Sequence, residues 1–354
     1  DDLCKNYSFI IMDEAHEMEL EMSRIYHFVR EFLNRCGSRD DCPIFIITSA
    51  TFEYKKFASY FNTENYIKVK GFSYPIEEHY LEYDSQDYVK DTAELVEKIY
   101  DVEENENSDM IIFVDGANSA LNIRNYLALL LNKKNYDIYI FCINGESIEK
   151  NDISYQNIFK PASVLNVKFK IIISTNVGET GVTFPNIKYI IDTGFHRSME
   201  YNCDFDIHTF KKIPITYFSA QQRKGRVGRE MPGIFYGMYT RKTMENLKKI
   251  LSNRFYTDDI TNEVLYFIDK LDILYNELIY PPCIFSIWRS VEKLYLLGFI
   301  TSDFKITKLG EILKNLSFLS VELVKMILAG YIWKAPIIDL ITIAAYSKSN
   351  GNNK

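Results

Sequence analysis

Short runs of apolar residues that stop at polar or acidic side chains recur along this chain. The first run, residues 9–12, has four apolar residues without alternation and ends at Asp13 and Glu14. Unbroken apolar runs of this length are typical of parallel strands that are buried on both faces. Similar runs occupy residues 44–48, 110–114, 138–142, 171–174 and 189–192.

Amphipathic segments separate these apolar runs. Residues 18–33 and 50–61 carry apolar side chains at helical spacing, and further helical patterns begin near residue 89 and after Gly116. A polar stretch at residues 103–109 is typical of a solvated turn. Strands that alternate with helices at this spacing predict an α/β fold built on doubly wound parallel sheets.

The pattern becomes mainly helical after Tyr239. Residues 284–297 predict an amphipathic helix that Gly298 ends. Two short apolar runs on either side of residues 302–303 then predict a small hairpin. A helix followed by a small hairpin is typical of a winged-helix domain.

Composition narrows the class of protein. A length of 354 residues allows two or three domains, and 47% hydrophobic with 25% charged residues is ordinary for a globular protein. No apolar run approaches the ~20 residues that span a bilayer, and no secretory signal is visible, so we expect no membrane partner. The net charge of −7 argues against a protein that coats nucleic acid broadly, but local basic patches can still contact phosphates.

The six cysteines are scattered and form no C-x-x-C pair. This spacing argues against a zinc site and favours a reducing, intracellular compartment. Cys36 and Cys42 are close in sequence, but we expect both to be free thiols. The abundance of Tyr, Ile, Asn and Lys suggests an AT-rich genome, such as that of a parasite or a large DNA virus.

Asp13 and Glu14 are the first candidates for chemistry. Ligands of open α/β sheets bind at the carboxyl ends of the strands, which is where this acidic pair stands. One carboxylate can hold Mg²⁺ through its water shell while the other orients or deprotonates an attacking water. The alternative is that either side chain caps the helix that follows.

Three further motifs follow in a fixed order. They are Ser49-Ala50-Thr51 after the second apolar run, Ser174-Thr175-Asn176-Val177-Gly178-Glu179-Thr180, and Gln222-Arg223-Lys224-Gly225-Arg226-Val227-Gly228-Arg229. Together with the acidic pair, their order and spacing resemble motifs II, III, V and VI of superfamily 2 helicases of the DEAH/RHA group. The resemblance extends over nearly all of the chain.

The resemblance implies a tandem arrangement of RecA-like parallel-sheet domains. Residues 1–70 would be the rear part of the first RecA-like domain and 71–245 the second. Residues 246–317 would form the winged helix, and 318–354 the start of a helical ratchet domain. Residues 195–216 would hold the β-hairpin with which the family wedges at nucleic acid, although the sequence has no clear two-residue hairpin turn.

The resemblance also assigns roles in hydrolysis. Glu14 would activate the water, Asp13 would reach Mg²⁺ through water, and His16 would hydrogen-bond to Gln222 of the second lobe. Arg226 and Arg229, three residues apart, would lie on one face of a helix that begins near Gln222 and act as arginine fingers. A basic helix that contacts solvent or RNA phosphate is the alternative for the two arginines.

A second set of residues would bind nucleic acid or nucleotide. Those implied to contact or couple nucleic acid are Ser49, Thr51, Thr175, Asn176 and Thr180. Those implied to hold the nucleotide are Phe159, Gly181 and Thr183, with the Phe159 ring stacked on the base. Thr51 could instead be a helix N-cap, and Phe159 could be an ordinary core residue.

The chain has no Gly-x-x-x-x-Gly-Lys-[Ser/Thr] motif. We therefore expect that the phosphate cradle and an oligonucleotide-binding barrel lie outside this sequence, and that this piece alone folds in part but hydrolyses no NTP. The function implied is an ATP- or NTP- and Mg²⁺-dependent helicase that moves 3′ to 5′ on single-stranded RNA, with an activator protein as a further partner. The site of action would be the cytoplasm or nucleus, or the virion or viral factory if the chain is viral.

Two alternatives stay open. One is a viral DEAH-like helicase that acts on both RNA and DNA. The other is a non-catalytic RNA-binding scaffold that keeps the helicase fold. The presence of Asp13, Glu14, Gln222, Arg226 and Arg229 argues against the scaffold, which would need none of them.

Overall fold

Strands and helices alternate through most of the chain. The computed structural model describes residues 6–15, 20–49, 54–69, 71, 73–103, 108–134, 137–143, 153–179, 183–202, 205, 207–249 and 258–351. The strands are β1 (Phe9–Met12), β2 (Ile44–Ile47), β3 (Ile76–Leu81), β4 (Ser108–Phe113), β5 (Ile138–Ile143), β6 (Phe169–Ser174), β7 (Ile187–Asp192), β8 (Phe195–Asn202), β9 (Ile207–Pro214) and β10 (Gly233–Thr240). The helices are α1 (Leu20–Cys36), α2 (Tyr54–Phe61), α3 (Tyr88–Val102), α4 (Ala117–Lys134), α5 (Ile153–Ile158), α6 (Ala162–Leu165), α7 (Tyr217–Lys224), α8 (Arg241–Asn246), α9 (Thr261–Tyr266), α10 (Ile284–Leu296), α11 (Lys308–Asn315), α12 (Val321–Ile332) and α13 (Ile337–Gly351).

The chain divides into two compact units. The first unit comprises Asp1–Lys68, Met199–Thr209 and Ser252–Lys354. The second comprises Val69–Ser198 and Phe210–Leu251. The finer division into four domains stays a prediction.

The second unit is built on a six-stranded sheet. Its strand order is β3–β10–β7–β4–β6–β5, and every neighbouring pair is parallel. All six residues of β4 and of β6 are buried. Side chains of a strand alternate between the two faces of the sheet. On one face Ile112 packs with α3 and α4. On the opposite face Ile111 and Phe113 pack with Ala220 of α7. Helices therefore cover both faces, and the predicted α/β architecture is confirmed.

Residues 103–109, predicted to form a solvated turn, are buried at both ends of the segment. Glu103 and Asp109 are buried, and Ser108 begins β4. Glu103 accepts hydrogen bonds from Lys188 and from the Tyr189 hydroxyl. The prediction was wrong because these polar side chains find partners that lie far away in the sequence. Residues 104–107 lie outside the described residues.

The first unit contains a parallel pair, β1 and β2, in which Phe9 is the register partner of Ile44. One face packs with α1 and α2 in a cluster that includes Met12, Tyr26 and Phe57. The other face is open, since Phe9 and Ile11 are 60% and 65% exposed. The prediction that this strand is buried on both faces is wrong here, because among the described residues helices cover only one side.

Four helices, α9 to α12, form the second core of the first unit, around buried residues that include Val264 and Leu294. Helix α10 ends before Gly298 as predicted, where φ is +76°. A single antiparallel bridge, between Ile300 and Ile306, closes the turn that follows. The winged-helix assignment of this segment stays a prediction.

Strands β8 and β9 form a separate two-stranded sheet. Residues 203–206 connect them, which is too short for the crossover that parallel strands require. The predicted hairpin is therefore confirmed, and its role at nucleic acid stays a prediction.

Among the described residues, Cys36 and Cys42 are not joined in a disulfide, in agreement with the prediction. In the part of the chain that the structure describes, every helix is too short or too polar to cross a membrane.

Candidate functional site

The acidic pair stands at the carboxyl end of β1, and both side chains are exposed. Asp13 Oδ1 accepts hydrogen bonds from the Glu14 backbone N–H at 2.9 Å and from the Thr48 hydroxyl. Thr48 follows β2; its N–H donates to the Met12 carbonyl at 2.9 Å, and its carbonyl accepts the Ala15 N–H at 3.1 Å. The neighbouring strand thus fixes the pair at the sheet edge.

The backbone at Glu14 is unusual. Its φ of 55° lies in the left-handed region, which is disfavoured for residues other than glycine. Ala15, which follows, is 2% exposed. Strained residues of this kind cluster at active sites, where the surrounding structure holds them in place. The turn therefore favours a functional role for the acidic pair.

The exposed carboxylate of Asp13 is a ligand of the kind that the implied Mg²⁺ ion would take. It lies beside a threonine hydroxyl, and oxygen atoms are the ligands that Mg²⁺ takes. Mg²⁺ in phosphoryl-transfer sites keeps several waters and uses one or two carboxylates together with substrate phosphates. A cluster of three acidic, histidine or cysteine ligands is accordingly not needed, and none occurs among the described residues.

Ser49 is half-buried and follows Thr48 directly. His16 and Thr51, which the sequence assigns to the same edge, lie outside the described residues. Thr48 itself was missed by the sequence analysis. Its position as the last residue of the second apolar run was the available signal, because parallel strands end at a common edge.

Gln222, Arg226 and Arg229 belong to the second unit. Helix α7 begins after Thr216, whose side chain accepts the Ser219 N–H, and it ends at Lys224. Gln222 is therefore in the last helical turn, and both arginines lie beyond it. The predicted helix that begins near Gln222 and carries both arginines on one face is wrong.

Two glycines explain why the helix stops. The Gly225 N–H donates to the Gln221 carbonyl at 2.8 Å and closes α7. Gly228 has φ +73°, and a Cβ there would lie 2.9 Å from the Tyr74 carbonyl oxygen. The chain can approach the segment before β3 this closely only because residue 228 has no side chain. The Gly228 carbonyl in turn accepts the Tyr74 N–H at 2.8 Å.

Arg223 is fully buried and lies between two acids. Its Nη1 donates to Asp192 Oδ1 at 2.7 Å, and its Nε donates to Glu179 Oε2 at 3.0 Å. Burial opposes the charge, but the two carboxylates outweigh it and raise the pKa of Arg223. The Tyr239 hydroxyl donates to Asp192 Oδ2 at 2.9 Å, and the guanidinium lies 5.0 Å from the Phe113 ring centre. This network joins α7 to the ends of β6 and β7.

The two candidate fingers are anchored differently. Arg226 is half-buried and donates through Nη2 to the Glu179 carbonyl. Arg229 is exposed, and its Nε donates to the Gly225 carbonyl at 2.9 Å. Glu179 thus binds Arg223 through its side chain and Arg226 through its backbone. The segments 174–180 and 222–229, recognised separately in the sequence, are in direct contact.

Thr175 and Asn176 follow β6 at the carboxyl edge of the large sheet. Thr175 is largely buried, Asn176 is exposed, and a single 3₁₀ turn over Asn176–Gly178 follows. A Cβ at Gly178 would lie 2.5 Å from Ser174 Oγ, so the turn is packed tightly on the strand end. Thr180 lies outside the described residues.

The residues implied to hold the nucleotide are only partly described. Phe159 follows α5 and is 38% exposed, so it is not an ordinary core residue. Its ring stacks on Phe184, with ring centres 6.0 Å apart and planes 18° from parallel. Thr183 is exposed and precedes Phe184. Gly181 lies outside the described residues.

Comparisons with known proteins agree with these motifs. Residues 91–231 match the family model of the helicase conserved C-terminal domain. A protein of African swine fever virus, named as a candidate RNA helicase, is 30% identical over 393 residues, covering 98% of this chain and 40% of that protein. The ATP-dependent RNA helicase HrpA of Borreliella burgdorferi is 29% identical over 316 residues, covering 88% of this chain and 37% of HrpA.

The crystal structure of the Escherichia coli DExH-box NTPase HrpB superposes with a TM-score of 0.74 at 18% identity, over 92% of this chain and 39% of HrpB. A second structure of the same protein, titled as a DEAH/RHA helicase, gives the same score and identity. This chain is homologous to these two RNA helicases, the viral protein and HrpA. The resemblance recognised in the motifs is thereby confirmed, as is the RecA-like helicase fold. The chain spans about 40% of the length of the relatives it matches.

The partners that hold the motifs in place were not recognised from the sequence. Asp192 ends an apolar run but belongs to no motif, Tyr239 belongs to no motif either, and Arg223 was noted only as part of a motif. The available signal was charge inside or beside apolar strands, because a charged residue is almost never fully buried unless it is paired.

His196 is a further buried titratable group beside Arg223. It is 8% exposed, and burial together with the Arg223 charge lowers its pKa to about 4. An unfolded histidine titrates near 6.5. The unfolded state therefore binds more protons between about pH 6.5 and 4, so the free energy of unfolding falls as pH drops through this window.

We expect His196→Gln to reduce the fall in the free energy of unfolding between about pH 6.5 and 4. From pH 7 to 4.5 the wild type should lose about 2–3 kcal/mol more than the variant, as follows from the pKa difference. Urea unfolding at the two pH values measures this loss, and His79→Gln, at a half-exposed histidine, is the matched control. Identical pH dependence in wild type and His196→Gln would contradict a neutral buried His196.

Proposed function

We propose that this chain carries the hydrolysis and coupling residues of an NTP-dependent helicase that moves 3′ to 5′ along single-stranded RNA. The observation that carries the proposal is the acidic pair at the carboxyl edge of β1, with Glu14 in a strained turn and Asp13 tied to Thr48. Homology to DEAH/RHA helicases supports it.

In the proposed reaction, ATP or another NTP binds with Mg²⁺. Asp13 would hold the ion through water, and Glu14 would orient and deprotonate the attacking water. Arg226 and Arg229 neutralise charge that develops on the transferred phosphoryl group, since planar guanidinium forks match phosphate oxygens. His16 and Gln222 are proposed as further members of the catalytic set.

In the proposed coupling, Thr175, Asn176 and Thr180 contact the sugar–phosphate backbone of RNA, and Ser49 and Thr51 link the hydrolysis site to the nucleic acid. The support for the first group is its position after β6, where Glu179 contacts both Arg223 and Arg226. A shift of the RNA-contacting turn would thus be transmitted directly to the arginine segment. The hairpin β8–β9 is proposed as the wedge, and an activator protein as a regulator of turnover.

The test uses the full-length natural protein. We expect phosphate release from ATP with Mg²⁺ to rise at least several-fold with single-stranded RNA, and duplexes with a 3′ RNA overhang to be unwound while those with a 5′ overhang are not. Equal unwinding from a 3′ DNA overhang would identify a helicase that acts on both nucleic acids. RNA binding without any phosphate release would contradict the motor and identify a scaffold.

A further inference from the structure

Two charged side chains lie inside the otherwise apolar centre of the parallel sheet. Asp109 on β4 and Lys170 on β6 are register partners, and neither exposes any surface. Lys170 Nζ lies 2.8 Å from Asp109 Oδ2. Burial raises the pKa of Asp109, and Lys170 opposes this rise. Because burying two charges carries a desolvation penalty that apolar residues would avoid, the pair points to a role beyond filling the core.

The hydrogen bonds of Lys170 go to the backbone around Phe159. Nζ donates to the Ile158 carbonyl at 3.1 Å and to the Lys160 carbonyl at 2.7 Å. An ammonium group has three donors, and these two carbonyls use two of them, while Asp109 faces the same nitrogen as an ion-pair partner. Lys170 therefore holds the carbonyl groups directly before and directly after Phe159.

Asp109 fixes the far end of the same segment. Its Oδ1 accepts the Ala162 N–H at 2.9 Å, where α6 begins after Pro161. Ala162 is fully buried, so this hydrogen bond does not compete with water. Three backbone groups within residues 158–162 are thus tied to one charged pair in the sheet.

The segment held in this way presents an aromatic surface. Phe159 is 38% exposed and stacks on Phe184, which is 5% exposed. An aromatic ring that is backed by a second ring and partly open to solvent offers a flat apolar face to a flat ligand. Fixing the backbone on both sides of Phe159 keeps that face in one orientation before the ligand arrives, which lowers the entropy lost on binding.

We propose that Lys170 and Asp109 form a positioning pair, which holds Phe159 ready to stack on the base of the bound nucleotide. This inference rests on the proposed function, because it takes the ligand of Phe159 to be the base of an NTP. The pair itself touches no ligand. It acts through the backbone at residues 158–162.

The competing explanation is that the pair only stabilises the fold. Replacing a buried ion pair with apolar residues of similar volume is often neutral or stabilising. The double variant Asp109→Leu/Lys170→Met should therefore keep the core filled while removing the three backbone contacts. Lys188→Met, which removes the partner of Glu103 and touches none of residues 158–162, is the matched control.

The experiment measures how ADP and inorganic triphosphate, which has no base, each displace fluorescent ADP from the full-length protein. We expect the double variant to bind ADP about tenfold more weakly, the size of effect typical of lost base stacking, while its affinity for triphosphate is unchanged. Phe159→Ala should give the same selective loss, and combining it with the double variant should add little. Lys188→Met should bind both ligands as the wild type does.

Hydrogen exchange at the Ala162 amide gives a readout without nucleotide, and we expect it to be at least about tenfold faster in the double variant. If the double variant does not fold, Lys170→Met, which removes both carbonyl contacts beside Phe159, decides by the same two measurements. Wild-type ADP affinity in a folded variant, or equal loss of ADP and triphosphate, would overturn the positioning role alone. Binding of neither ligand by the unaltered protein would overturn the proposed function and this inference with it.

Discussion

Replacing Glu14 by glutamine is expected to abolish NTP hydrolysis while nucleotide binding persists. Glutamine has nearly the same shape as glutamate and no basic carboxylate, so it cannot deprotonate the attacking water. A general base contributes about 10²–10⁴-fold to turnover. Glu14 is exposed and already in a left-handed turn, so the substitution introduces no new backbone strain relative to the wild type. The loss should appear in kcat and leave nucleotide affinity within a few-fold.

Phosphate release at saturating ATP, Mg²⁺ and RNA measures the first quantity, and displacement of fluorescent ADP measures the second, both on the full-length natural protein. Glu64→Gln is the matched control, because Glu64 is an exposed carboxylate of the same unit. Turnover of Glu14→Gln close to that of the wild type would exclude Glu14 as the base. Loss of ADP binding would instead assign Glu14 to nucleotide binding.

Arg226→Ala and Arg229→Ala are each expected to reduce RNA-stimulated turnover by about 10³–10⁵-fold, the range of arginine fingers in related chemistry. Both side chains lie in the glycine-rich turn after α7, where Arg226 is held by the Glu179 carbonyl and Arg229 by the Gly225 carbonyl. Backbone carbonyl contacts orient a guanidinium without cancelling its charge, so each arginine can still neutralise a phosphate.

The discriminating measurement is RNA affinity over a range of salt concentrations. An arginine that acts on the transferred phosphoryl group leaves RNA affinity nearly unchanged, whereas an arginine that contacts RNA phosphate weakens binding and reduces the salt dependence when it is removed. Arg124→Ala, at an exposed arginine of α4 in the same unit, controls for the loss of one positive charge. If a variant changes mainly RNA affinity, the arginine that it lacks contacts RNA phosphate and does not act as an arginine finger.

The order of strands and helices could be predicted from the sequence, because each element follows from a local pattern of apolar residues. Strands such as β6 and β7 are apolar runs that stop at Ser174 and Asp192, and helices between them follow the helical period. Their parallel pairing and the helices on both faces then follow from chain geometry. The acidic pair was located correctly at a strand end for the same reason.

The errors arose where a distant partner or a single glycine decides the local structure. Asp109 belongs to a polar stretch that resembles a turn, and its burial is made tolerable by Lys170 and by the Ala162 N–H, both distant in the sequence. The segment after Gln222 has a helical spacing of arginines, but Gly225 and Gly228 end the helix. Neither effect can be seen in the hydrophobic pattern, because that pattern records neither long-range pairing nor backbone angles.

The buried trio of Glu179, Asp192 and Arg223 also constrains how this sequence can drift during evolution. An exchange of Arg223 for lysine would replace a planar fork with a point charge that cannot serve both acids in the same way. Loss of one partner from a buried pair costs about 3–5 kcal/mol, which is a large part of the roughly 5–15 kcal/mol that stabilises a typical domain. A single substitution that removes one of these three charges is therefore expected to produce a poorly folded intermediate, so that we expect the three positions to change together.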